Sequence, residues 1–180
     1  TIRRRSTRAS RGASMFDRAR VPPLRRAADR LLGWVIAGLL GLMRVIGPDR
    51  ASALGGWVAR GIGPHLKVSR RAHANLTRFM PELDAAARTR IVREVWDNLG
   101  RTAAEYPHIA FLGAHRTEVH GLEHVARAKE SGQSILFFTA HMANWEIAPP
   151  VARANGTPVS VVYRALNNPH VDALILRYRG

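Results

Sequence analysis

The segment from Thr117 to Gly180 constrains the fold most strongly, because short apolar runs alternate in it with helical stretches. Glu118-Val-His120 is a candidate strand, and Gly121–Ser131 reads as a helix with Gly132 at its end. Ser134–Ala140 is a seven-residue run rich in Ile, Leu and Phe, the pattern of a strand buried on both faces. Asn144–Asn155 is mainly helical, with Pro149 and Pro150 distorting it or delaying its start. Pro158–Tyr163 reads as a third strand. Asn168-Pro169 then looks like an N-cap followed by proline at the first helical position. The order β-α-β-α-β-α predicts an α/β fold, a parallel or mixed sheet flanked by helices.

Upstream the texture is helical. Leu31–Met43 is thirteen uncharged residues closed by Arg44. A spanning helix needs about 20 apolar residues, so this run is short for a crossing. A cleaved signal peptide would place its site too far from the run, with Arg44, Asp49 and Arg50 between them. A buried core helix is the plain alternative. An interfacial helix fits better, because ten arginines precede the run within residues 1–30, against Asp17 and Asp29 alone. Beyond Pro48, Ala51–Arg60 reads as a short helix, and Gly61-Ile-Gly-Pro64 punctuates the chain. Leu66–Phe79 and Leu83–Tyr106 read as amphipathic packing helices, the second ended by Pro107. The expected organisation is a basic arm over 1–30, a hydrophobic membrane-associated helix over 31–46, a helical segment over 47–108, and the start of an α/β domain over 109–180.

The net charge is +15, and arginine supplies all but two of the 28 basic residues. Part of that skew is what a GC-rich coding bias would produce. The remainder suits an anionic partner, either nucleic acid or membrane phosphates. With no cysteine, a disulfide scaffold, thiolate zinc and a thiol nucleophile are excluded. The chain begins at Thr1, with Met15 a candidate start, and the pattern breaks off at Arg177–Gly180. The start predicts that residues 1–14 are a disordered arm or non-native sequence, and the abrupt stop predicts an N-terminal fragment of a longer protein.

His141 closes the Ser134–Ala140 run, and Glu146 follows five residues later. Such a pair is weak evidence alone: eight histidines and thirteen acidic residues in 180 give roughly 0.6 by chance. Its place adds weight, because sites in α/β sheets lie beyond the carboxyl ends of strands. Residues five apart diverge on one helix but can meet across a strand-to-helix turn. Neutral His141 can then take a proton from an attacking hydroxyl. Glu146 can fix its tautomer and stabilise the imidazolium. The acceptor hydroxyl is itself the nucleophile, so no serine or cysteine is required, and no metal or cofactor. An incidental His and Glu on a surface loop is the competing account. Asn144 reads as a helix N-cap and as a candidate substrate-binding residue, and Trp145 as packing. Arg164, after the third strand, could bind a phosphate or polarise an acyl carbonyl, or be one more solvated arginine. The remaining histidines show no metal-ligand spacing.

Several blocks together carry a resemblance. His141-Met-Ala-Asn-Trp-Glu146 resembles the H-x4-D/E block of the glycerolipid and lysophospholipid acyltransferases. In the fuller form, with Asn-Trp-Glu, it resembles the bacterial lipid A late acyltransferases (lauroyl/myristoyl transferases). Asn75-Leu-x4-Pro81-Glu82, Trp96-Asp-Asn-Leu-Gly-Arg101, Glu105-Tyr-Pro-His108 and Val119-His-Gly-Leu-Glu-His124 are similar to further blocks of that branch, in the same order. So is Tyr163-Arg164-x2-Asn167-Asn-Pro169-x2-Asp172, and the resemblance runs from about Leu24 onward. It implies transfer of a fatty acyl chain from acyl carrier protein to a hydroxyl of a lipid A precursor. It implies the cytoplasmic face of the cell inner membrane. His141 carries over as general base, Glu146 as its partner and Arg164 as a substrate-side residue. Ala143 stands where the block usually has glycine, and the family continues beyond this point with further strands and an Asp-Gln block. A different acceptor, such as phosphatidylinositol mannoside, keeps the same chemistry. Nucleic-acid binding through the basic arm is the reading from another class, but no recognisable module accompanies it.

Overall fold

The computed structural model describes residues 22–179. Helix α1 (Pro23–Ile46) starts with proline at its first turn, inside the basic segment, and carries the whole Leu31–Met43 run. A single residue, Gly47 at φ 84°, turns the chain into α2 (Pro48–Ile62). That left-handed region is open to glycine at no steric cost. A short 3-10 turn (Gly63–His65) leads to α3 (Ser69–Phe79). Helix α4 (Ala85–Glu105) is capped by Asp84, whose carboxylate accepts from the Ala87 N–H at 2.6 Å. It stops where Pro107 enters a 3-10 turn (Tyr106–His108), which runs on into α5 (Ile109–His115). Helix α6 (Leu122–Glu130), a 3-10 turn (Trp145–Ile147), α7 (Ala148–Ala154) and α8 (Pro169–Arg179) complete the described chain.

Helices α2 and α4 form the closest pair, and small residues make the approach possible. A Cβ at Gly55 would strike the Gly100 carbonyl oxygen, and one at Gly100 would strike the Gly55 carbonyl oxygen and the Ala59 methyl. The corner after α2 is pinned to the same helix. The Ser69 hydroxyl donates to the Gly63 carbonyl at 2.7 Å and accepts from the Trp96 indole N–H at 2.8 Å. Around this pair lies a thin core of Met43, Ala51 and Ala104, with Ile46 against it and Leu40, Val92 and Ile109 also buried. His108 donates through Nε2 to the Met43 carbonyl at 3.0 Å, tying the end of α4 to α1. At the far end of α1, the Asn168 amide donates to the Asp29 carbonyl at 2.9 Å, and its oxygen caps α8 by accepting from His170 and Val171. The expected N-cap at Asn168-Pro169 is therefore present.

The expected sheet is not. Among the described residues there is no strand and no isolated bridge. The three segments expected as strands are irregular chain, and most of their apolar side chains are exposed: Leu136 is 75%, Phe138 88% and Val162 100% exposed. A strand exists only when a neighbour takes up its backbone N–H and C=O groups. No described segment does so here, and the fold class is corrected from α/β to helical. The membrane-helix part of the same expectation is corrected as far as spanning goes. No described helix is long and apolar enough to cross a membrane. Thirteen apolar residues at 1.5 Å each reach about 20 Å, short of a hydrocarbon core of about 30 Å. Residues 1–21, most of the basic arm, lie outside the described residues.

Candidate active site

The loop after Ser134–Ala140 is held against one face of α4. Ala143 has φ 47°, the left-handed region that alanine enters at a cost of about 1–2 kcal/mol. Two side chains one turn apart on α4 hold it there, since the Asn98 amide and the Thr102 hydroxyl both donate to the Ala143 carbonyl, at 3.3 and 3.2 Å. The substitution of alanine for the usual glycine of the block thus falls on the residue whose backbone most favours glycine.

Asn144 follows and is engaged at both ends of its amide. Its oxygen accepts from the Glu146 N–H at 3.2 Å, opening the 3-10 turn, and its nitrogen donates to Glu105 at 2.6 Å. The N-cap reading of Asn144 describes what it does in this structure. That Asx turn starts the 3-10 turn that carries Trp145 and Glu146.

His141 is exposed, with its ring 4.5 Å from that of Trp145 in a tilted arrangement. With Ile91, Glu94, Val95, Asn98 and Leu99 it borders a depression of about 420 Å³ on α4. Those five positions follow helical spacing and share a face. Ile91, Val95 and Leu99 make an apolar track along it, and Glu94 and Asn98 add polar groups beside the imidazole.

Glu146 lies elsewhere. It is 5% exposed, and Arg179 of α8 grips it with two parallel bonds, Nε to Oε2 at 2.7 Å and Nη2 to Oε1 at 2.5 Å. The Trp145 indole N–H donates to the same Oε1 at 3.1 Å, and the Tyr106 hydroxyl hydrogen-bonds the carboxylate as well. Arg179 Nη2 also donates to the Tyr106 oxygen at 3.3 Å, and the guanidinium lies over the Tyr163 ring at 5.3 Å. Burial alone would raise the Glu146 carboxyl above the usual range. The donors on Arg179, Tyr106 and Trp145 outweigh it and hold the group low, as an anion. Burial, and then the bond to that anion, push the Tyr106 phenol up. The bond to Glu146 raises Arg179 further still.

The structure therefore brings His141 and Glu146 to one turn without joining them. No described hydrogen bond links the two; Trp145 touches both, ring to imidazole and N–H to carboxylate. Arg164 is exposed and makes no described hydrogen bond or ion pair, so it stands apart from this cluster. Sequence reasoning missed Arg179 and Thr102, and met Asn98 only as a member of the Trp96–Arg101 block, with no role given to it. Nothing in the order of residues marks Arg179 among 26 arginines. Tyr106 and Glu105 had a signal, since both belong to the Glu105-Tyr-Pro-His108 block.

An exposed imidazole beside an apolar track suits proton abstraction from a hydroxyl next to a bound aliphatic chain. No curated protein and no solved structure matches the chain. A family model described as bacterial lipid A biosynthesis acyltransferase matches residues 20–180. With that match covering most of its length, the chain belongs to the bacterial lipid A biosynthesis acyltransferase family and is an acyltransferase.

Proposed function

We propose that this acyltransferase moves a fatty acyl chain from the thioester of acyl carrier protein to a free hydroxyl of a lipid A precursor, with His141 as general base. The observation that carries the reading is the accessible His141 ring at the head of the Ile91, Val95 and Leu99 track. An acyl chain laid along that track would present its carbonyl carbon near the imidazole. The acceptor oxygen attacks that carbon as His141 takes the hydroxyl proton. The tetrahedral intermediate collapses by breaking the C–S bond, and the departing thiolate recovers the proton from the imidazolium. Atoms and charges balance without a metal or redox partner. Arg164, solvent-facing and free to reorient, is suited to an acceptor phosphate.

The reading extends to the cytoplasmic face of the inner membrane, by surface contact. On α1, Leu24, Leu31, Trp34, Val35, Leu42 and Val45 are exposed and fall on one helical face, and Arg25, Arg26 and Arg30 lie beside its first turns.

The test is turnover of acyl carrier protein thioester with a tetra-acylated, Kdo-bearing lipid A precursor, followed by mass spectrometry of the product. His141→Ala should lower the rate on the order of 10²–10⁴-fold. Near-normal turnover in that variant rules out His141 as the base. Failure of the protein to co-sediment with anionic vesicles would rule out the surface contact.

A further inference from the structure

Every oxygen of Glu146 is occupied, and none of its described partners is the imidazole it would orient. Oε2 takes Arg179 Nε, and Oε1 takes Arg179 Nη2 and the Trp145 indole N–H. Trp145 in turn sets its ring 4.5 Å from the His141 ring. The contacts form a chain from α8 to the candidate base: Arg179, Glu146, Trp145, His141. Tyr106, at the end of α4, braces its start by meeting both Arg179 and Glu146.

We infer that Arg179 and Tyr106 are positioning residues for the acyl-transfer site, acting on His141 through Glu146 and Trp145. This rests on His141 being the base. Arginine is suited to the place because its planar fork matches both carboxylate oxygens, which the point charge of lysine cannot do. With its carboxylate fixed, Glu146 gives the Trp145 indole one preferred orientation. The exposed imidazole, with no described hydrogen bond of its own, then takes its orientation from the indole ring. A base displaced by about an ångström from its proton can lose about 10²-fold in rate.

The experiment compares wild-type protein with Arg179→Met, Arg179→Lys, Tyr106→Phe, Trp145→Phe and the double variant Arg179→Met/Trp145→Phe. Thermal midpoints are measured alongside. Expected results are a fall in kcat on the order of 10–100-fold for Arg179→Met, an unchanged KM for the thioester, and partial recovery in Arg179→Lys. Trp145→Phe keeps a ring against His141 but loses the N–H, and should fall similarly. If both residues act along one chain, the double variant is no slower than the slower single variant. Multiplying losses in the double variant, or wild-type kcat in Arg179→Met, overturns the inference. If Arg179→Met does not fold, Arg179→Lys, Tyr106→Phe and Trp145→Phe decide it, since all three at wild-type kcat overturn it equally. Inactivity of the wild type, or full activity of His141→Ala, instead defeats the acyl-transfer reading on which it rests.

Discussion

The contact between α2 and α4 predicts that one substitution has opposite effects at two glycines. Gly41 of α1 and Gly100 of α4 both sit inside helices, where alanine is intrinsically favoured by about 1 kcal/mol. At Gly41 an added methyl meets nothing within 4 Å, so Gly41→Ala should stabilise by about 0.5–1 kcal/mol. At Gly100 the same methyl overlaps the Gly55 carbonyl oxygen and comes within 2.5 Å of the Ala59 Cβ. One of these obstacles is backbone, so no side chain can swing aside and the helices must separate. Overpacking of this kind costs about 1–3 kcal/mol, occasionally more. Set against the propensity gain, Gly100→Ala should destabilise by up to about 2 kcal/mol. For a chain of this length each kcal/mol moves the thermal midpoint by about 2–4 °C. Calorimetric or circular-dichroism melts of the two variants should therefore shift in opposite directions. Shifts of the same sign would refute the claim that backbone contact, and not helix propensity, governs residue 100.

Two further outcomes follow from buried polar groups. Glu146→Gln strands Arg179 and should cost about 3–5 kcal/mol near neutral pH. Because the carboxyl is held below its ordinary 4.5, its contribution is fully present above that value and fades as pH falls through the lower folded-state value. The gap between wild type and Glu146→Gln in urea melts should thus close on acidification, and a gap constant down to pH 3 contradicts it. Ser69→Ala leaves the Trp96 indole N–H without its acceptor and should cost about 1–3 kcal/mol, read as a lowered urea midpoint.

The helical half of this molecule was readable from residue order because a helix satisfies its own backbone. The 3.6-residue spacing of Ile91, Val92, Val95 and Leu99 announces α4, and Asn168-Pro169 announces α8. The segment Ser134–Ala140 could not be read that way. Its composition describes a strand, but a strand is completed by residues distant in sequence, and here none pairs with it. The candidate site divides along the same line. His141, Asn144 and Glu146 are local and were found together. Glu146's strongest partner, Arg179, is 33 residues away on another helix. A carboxylate five residues from a histidine looked like its orienting group, yet a guanidinium offering two aligned donors holds it more strongly than a neutral imidazole could.

Helix α4 turns one side, through Asp97, Gly100, Arg101 and Ala104, toward α2, and the other, through Asn98 and Thr102, toward the loop of His141. A rigid rod clamped on both flanks transmits displacement instead of absorbing it. If α2 is pushed outward at Gly100, the shift passes across the rod's width to the carbonyl of Ala143, two residues from the imidazole. Sequence variation on the α2 side would then move the loop that carries His141 without touching that loop directly.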